Sequence, residues 1–153
     1  GVPLGAVVGR KALMDTLPKG GLGGTYSGNP LACAAGLATL EVMTDANLSA
    51  WSEQYSAILL ARFEQWQAQK LSPFLGRLTG VGAMRGIELL TPEGKPATAQ
   101  MAQLLEAARE RGLLLMPSGK SRHIVRLLAP LTIEVAELNE GLDILQACLA
   151  QLR

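Results

Sequence analysis

The sequence predicts an α/β or α+β sandwich in which helices cover a small sheet. Three observations carry this expectation. Apolar side chains recur at three- and four-residue steps over 47–70, 98–111 and 135–152, the period of amphipathic helices. Short apolar runs at 78–81, 83–90, 113–116 and 123–128 stand between turn residues, as strands do. The runs alternate with helical segments, an order that packs helices onto one sheet.

Composition narrows the function classes. A chain of 153 residues with 48% hydrophobic residues can bury one ordinary core without a metal or disulfide. Its 14 Lys and Arg face 13 Asp and Glu, so the net charge is only +1. That balance argues against disorder and against a strongly basic nucleic-acid binder. No apolar stretch approaches the roughly 20 residues of a membrane helix. No charged segment followed by an apolar run marks a signal peptide. Cys33 and Cys148 lie far apart, without metal-ligand spacing, and read as two buried thiols in a reducing, cytoplasmic compartment, with a disulfide or a reactive thiol as the alternative. His123 reads as a polar residue at a strand edge, and no metal site is expected.

The elements follow in order. Val2 to Val8 is apolar and reads as a buried strand or a loop entering one. A start inside a Gly- and Pro-containing apolar segment resembles a chain cut from something larger. Arg10 to Leu17 suits a short helix. The stretch Pro18 to Gly28 is loop, with Gly20, Gly21, Gly23 and Gly24. Asn29 suits an N-cap and Pro30 a first helical position. The helix from Leu31 to Met43 carries small and apolar residues nearly all round and should be deeply buried. The long helix that follows carries Trp51, Tyr55, Leu59 and Trp66, read as one core stripe. Residues 91–96 form a turn, and Gly112 suits the residue just past the helix over 98–111. Leu113 to Met116 and His123 to Leu128 are strands around a polar turn. Thr132 is the expected N-cap of the last helix, which carries Leu138, Leu142, Leu145 and Leu149.

Two places suggest chemistry. The glycines at 20–24 let backbone N–H groups line a concave site, Thr25 and Ser27 add hydroxyls, and a helix starts just beyond. A phosphate cradle and a flexible connector both fit this pattern. It is neither a Walker loop, since no Lys precedes Thr25, nor a dinucleotide fingerprint. Arg126 stands alone among Ile124, Val125, Leu127 and Leu128. Alternation puts it on the face opposite Val125 and Leu127, where it should meet an internal carboxylate or a ligand carboxylate, or else stand on an exposed strand face. Arg85 pairs easily with Glu88 and reads as structural.

Gly23-Gly24-Thr25-Tyr26-Ser27-Gly28-Asn29-Pro30-Leu31-Ala32 resembles the GGT[YF]xGNPLA segment of class III (ω-type) aminotransferases, which depend on pyridoxal 5′-phosphate (PLP). Gly1 to Arg10 is similar to that family's GG-x-P-L-x-x-V-x-G-[RK] stretch. Gly80 to Glu88 is similar to its RGxGxM…E strand pair, and Arg126 to Thr132 to its R-[IL]-x-x-P-L-T segment. The resemblance covers the whole chain and is nearest to 4-aminobutyrate aminotransferases. It implies a fold type I transferase. Residues 1–46 would be the end of the large PLP-binding domain, and 47–153 the C-terminal small domain with a mainly antiparallel sheet. Thr25 and the Gly24 region would bind the cofactor phosphate of a neighbouring subunit, which implies a homodimer or higher homo-oligomer. Arg126 would hold the carboxylate of the amino donor or of 2-oxoglutarate. Tyr26 receives no separate role.

The resemblance places the Schiff-base lysine and the aspartate that meets the pyridine nitrogen ahead of Gly1, so no catalytic residue is expected here and this segment alone should be inactive. Thr79 departs from the family's arginine. Other class III members acting on ornithine, acetylornithine, diaminobutyrate or adenosylmethionine, an aminomutase, and a non-catalytic binding or dimerisation domain are the alternatives. Isolated, the apolar faces at 2–8 and 31–43 should be exposed and favour association.

Overall fold

The computed structural model describes residues 2–45 and 47–153; Gly1, in the first matched stretch, and Ala46, at the expected domain boundary, lie outside the described residues. The chain separates into two compact units, Gly1–Asn47 and Leu48–Arg153.

The first unit holds two helices, α1 (Lys11–Met14) and α2 (Pro30–Asp45). Asn29 caps α2 as expected: its Oδ1 accepts from the N–H of Leu31 at 2.9 Å and of Ala32 at 3.4 Å. Pro30 follows at the first helical position, where its missing N–H costs nothing. The expected burial of α2 is not found. Ala32 is buried, but Leu31, Leu37, Leu40, Val42 and Met43 are exposed. Small residues around a helix allow close packing without supplying a neighbour. Val2 to Val8 forms no strand, and Val7 and Val8 are exposed.

The second unit is a four-stranded antiparallel sheet with helices, as expected. It contains α3 (Leu48–Ala68), β1 (Leu75–Val81), β2 (Met84–Leu89), α4 (Thr98–Glu110), β3 (Met116–Ser118), β4 (Ile124–Leu127) and α5 (Val135–Leu149). The strand order is β1-β2-β4-β3. The core joins Leu59, Phe63 and Trp66 of α3, Ile87 and Leu89 of β2, Met101 and Leu104 of α4, and Leu142, Leu145 and Leu149 of α5. Trp66 is 1% exposed, and its indole N–H donates to Gln146 Oε1 at 2.7 Å. Trp51, expected on the same stripe, is 43% exposed instead. The helix is buried along Tyr55, Leu59, Phe63 and Trp66, and Trp51 begins before that contact does.

Gly112 ends α4 as expected, with φ +83°. Leu113 N–H reaches Ala108 O and Gly112 N–H reaches Arg109 O, which closes a Schellman motif. That closure shifts the next strand. Leu113 completes the helix stop, so pairing begins only at Met116 rather than at 113. The last helix starts later than expected too. Ile133 N–H closes a turn on Pro130 O, which holds Thr132 inside the turn and leaves Glu134 as N-cap.

The β1–β2 hairpin depends on glycine. At Gly80, φ is +97°, and an added Cβ would lie 2.1 Å from Met84 O on the paired strand. Gly80→Ala is therefore expected to lower stability by about 2 kcal/mol or more, read as a reduced urea midpoint; an unchanged midpoint would contradict the tight pairing.

Candidate functional site

The glycine loop belongs wholly to the first unit. Ser27 N–H closes a turn on Gly24 O at 2.9 Å, and Asn29 N–H another on Tyr26 O at 3.2 Å. These turns hold 24–28 in a bend that leads into α2. Among the described residues, the N–H groups of Gly23, Gly24, Thr25 and Tyr26 donate to no acceptor, and the Thr25 hydroxyl has no partner. Thr25 and Gly24 are exposed, and Tyr26 is 83% exposed. A Cβ added at Gly23 would meet nothing, whereas one at Gly24 would approach Ser27 Oγ at 3.2 Å. Free amides beside a free hydroxyl, ahead of a helix start, suit an oxyanion.

Arg126 lies in the second unit. Val125 and Leu127 are buried on the helix side of β4, while Arg126 is exposed on the other face, as alternation predicts. In register it stands between Gly86 of β2 and Met116 of β3. No internal carboxylate meets it: among the described residues its side chain has no hydrogen-bond or ion-pair partner. It joins the lining of a cavity of about 230 Å³ at the end of the sheet. Tyr55, 6% exposed, stands in the same lining and accepts from Ala129 N–H at 3.4 Å; burial raises its pKa, and that hydrogen bond opposes the shift.

Arg85 does not pair with Glu88. It donates to Gly80 O at 2.8 Å, to Gly82 O at 3.1 Å and to Ser56 Oγ at 2.6 Å, bracing the hairpin against α3. Glu88 is taken by Arg77, through Nε at 2.9 Å and a second N–H at 3.1 Å, and this ion pair lowers the Glu88 pKa. Strand alternation explains the exchange: Glu88 is one row from Gly86 and Arg126 on the open face, and Arg85 points the other way. Thr79 donates to Gly86 O at 3.1 Å.

Cys33 and Cys148 are both free thiols, and burial raises the Cys148 pKa. His123 flanks β4 with its Nδ1 buried and unpartnered among the described residues. No group of three or more metal-ligating side chains occurs among the described residues, and no helix there is long and apolar enough to cross a membrane. Sequence reasoning read Tyr55 only as core and did not single out Glu137; both stand in the same cavity lining as Arg126, a grouping made only by the fold.

The profile of the family described as Aminotransferase class-III matches residues 1–149. The chain is 67% identical over 152 residues to the 2-aminoadipate transaminase of Pseudomonas putida, a match that covers 99% of this chain and 36% of that protein. It is 39% identical over 154 residues to the 4-aminobutyrate aminotransferase of Escherichia coli, covering 97% of this chain and 35% of that one. A phospholyase from Arthrobacter, solved in complex with phosphoethanolamine, superposes with a TM-score of 0.80 at 30% identity, over 94% of this chain and 34% of that structure. The chain thus spans about a third of the length of the relatives it matches. With the profile running over nearly its whole length, the chain belongs to the class III aminotransferases, a family that implies pyridoxal 5′-phosphate as cofactor.

Proposed function

We infer that the longer protein to which these residues correspond is a PLP-dependent aminotransferase, and that it moves the amino group of 2-aminoadipate to 2-oxoglutarate. The observation that carries the reading is Arg126: an unpaired guanidinium on the open face of β4, with glycine on one side in the register. A planar guanidinium grips a carboxylate with two parallel hydrogen bonds. The 67% identity to a 2-aminoadipate transaminase favours an α-amino dicarboxylic acid over 4-aminobutyrate, the donor expected from the motifs alone. The 39% identity to a 4-aminobutyrate aminotransferase keeps that donor as the second reading.

The glycine loop fits the cofactor's phosphate. Its amides at 23–26 and the Thr25 hydroxyl are free, and nothing fills the space over Gly23. Thr25 and Gly24 would hold that phosphate, in the site of a neighbouring subunit of a homodimer. When bound, PLP supplies the electron sink that lets an amino group leave one carbon skeleton and join another. Arg126 orients the substrate by its carboxylate and neutralises it. Residues 1–46 would close the large domain and 47–153 form the small one. The anchoring lysine belongs to neither, so activity resides in the longer protein.

Two experiments test this. On the full-length enzyme, kcat/KM for 2-aminoadipate should exceed that for 4-aminobutyrate at least tenfold; the reverse order would overturn the donor. Thr25→Ala should weaken PLP binding to the apoenzyme by roughly tenfold or more, since a hydrogen bond to a charged group contributes about 1.5–3 kcal/mol. Fluorescence titration with PLP measures this, and an unchanged Kd would remove Thr25 from the phosphate.

A further inference from the structure

We propose that the Ser27 hydroxyl is a second side-chain donor to the cofactor phosphate, beside Thr25, and that the turn over 24–27 and the absence of a side chain at Gly24 put it there.

The turn brings Ser27 back onto the loop. Its N–H closes on Gly24 O at 2.9 Å, so the first and fourth residues of the bend lie side by side. The hydroxyl follows the backbone. A Cβ added at Gly24 would stand 3.2 Å from Ser27 Oγ, tighter than such atoms ordinarily pack, so glycine at 24 leaves room for that oxygen. A Cβ added at Gly23 would meet nothing within 4 Å. A hydroxyl therefore stands over one glycine and open space over the one before it, along the stretch whose amides at 23–26 donate to no acceptor among the described residues.

Local structure does not use this hydroxyl. A serine just ahead of a helix ordinarily accepts from an N–H of the first turn. In α2 that work is done by Asn29, whose Oδ1 takes the N–H groups of Leu31 and Ala32. The Ser27 side chain has no hydrogen-bond partner among the described residues, and it is exposed, so a ligand can reach it.

The chemistry of the phosphate calls for several donors. A phosphate monoester presents three strong acceptor oxygens, and hydrogen bonds to a charged acceptor are stronger than neutral ones. Two hydroxyls two residues apart, with free amides beside them, can serve more than one of those oxygens. This role deepens the proposed function and rests on its placement of the phosphate at Thr25.

The test is fluorescence titration of the full-length apoenzyme with PLP and with pyridoxal, which has the same ring and no phosphate. Ser27→Ala is expected to weaken PLP binding by about fivefold or more and to leave pyridoxal binding within about twofold. Its Tm should not move, since an exposed side chain without a partner contributes little to the fold. Unchanged affinity for PLP would overturn the proposal. An equal loss for PLP and pyridoxal would overturn it too, because the change would then not be felt at the phosphate. Thr25→Ala in the same series separates the two claims. Weaker PLP binding in Thr25→Ala but not in Ser27→Ala would overturn the role of Ser27 and leave the proposed function standing. No loss in either variant would overturn the phosphate reading of the loop as well.

Discussion

Arg126→Ala in the full-length enzyme is expected to raise KM for the dicarboxylate substrate by more than tenfold while leaving kcat within about twofold. A charge-assisted hydrogen-bonded pair contributes roughly 1.5–3 kcal/mol, and about 1.4 kcal/mol is a factor of ten. The loss is expected on KM because a carboxylate grip made equally in ground and transition states contributes binding without changing kcat. Stability should change little, since the guanidinium is exposed and makes no hydrogen bond within the described residues. Arg126→Lys should recover only part of the affinity, because an ammonium cannot reproduce the planar two-point grip. Steady-state kinetics with both substrates decides it: unchanged KM for each would remove Arg126 from recognition.

The second large effect concerns the core. Trp66→Ala should destabilise the chain by about 3–5 kcal/mol, the cost of emptying a filled aromatic site. The indole is 1% exposed, and its loss also strips Gln146 of a 2.7 Å donor. Trp51→Ala should cost less than about 1 kcal/mol, because that ring is 43% exposed. Urea denaturation of the two variants side by side measures the contrast. Equal losses would mean that both rings belong to one continuous stripe, as helical spacing alone suggests.

That contrast shows where periodicity stops being informative. Spacing places Trp51 and Trp66 on related faces of α3, but burial depends on where the neighbouring helix and sheet lie, and of the two rings it is Trp66 that meets Gln146, 80 positions away. The same limit governs Arg85 and Glu88. They are close in sequence and opposite in charge, yet the pleat turns them to different faces, so Arg77 takes the carboxylate.

Local chemistry was legible from the residues alone. Asn29 and Pro30 start a helix, Gly112 stops one, and the lone arginine among aliphatic residues faces away from the core, because each of these follows from a few neighbouring dihedrals or from the two-residue period of a strand. The glycine loop with Thr25 and the segment around Arg126 were legible as motifs for the same reason. The tertiary structure alone decided which helix faces are covered, that strand pairing waits for Met116, and that Arg77 rather than Arg85 takes Glu88. These outcomes depend on contacts between residues far apart in the chain. Their free energy comes from burial against a particular neighbour, which no local pattern specifies.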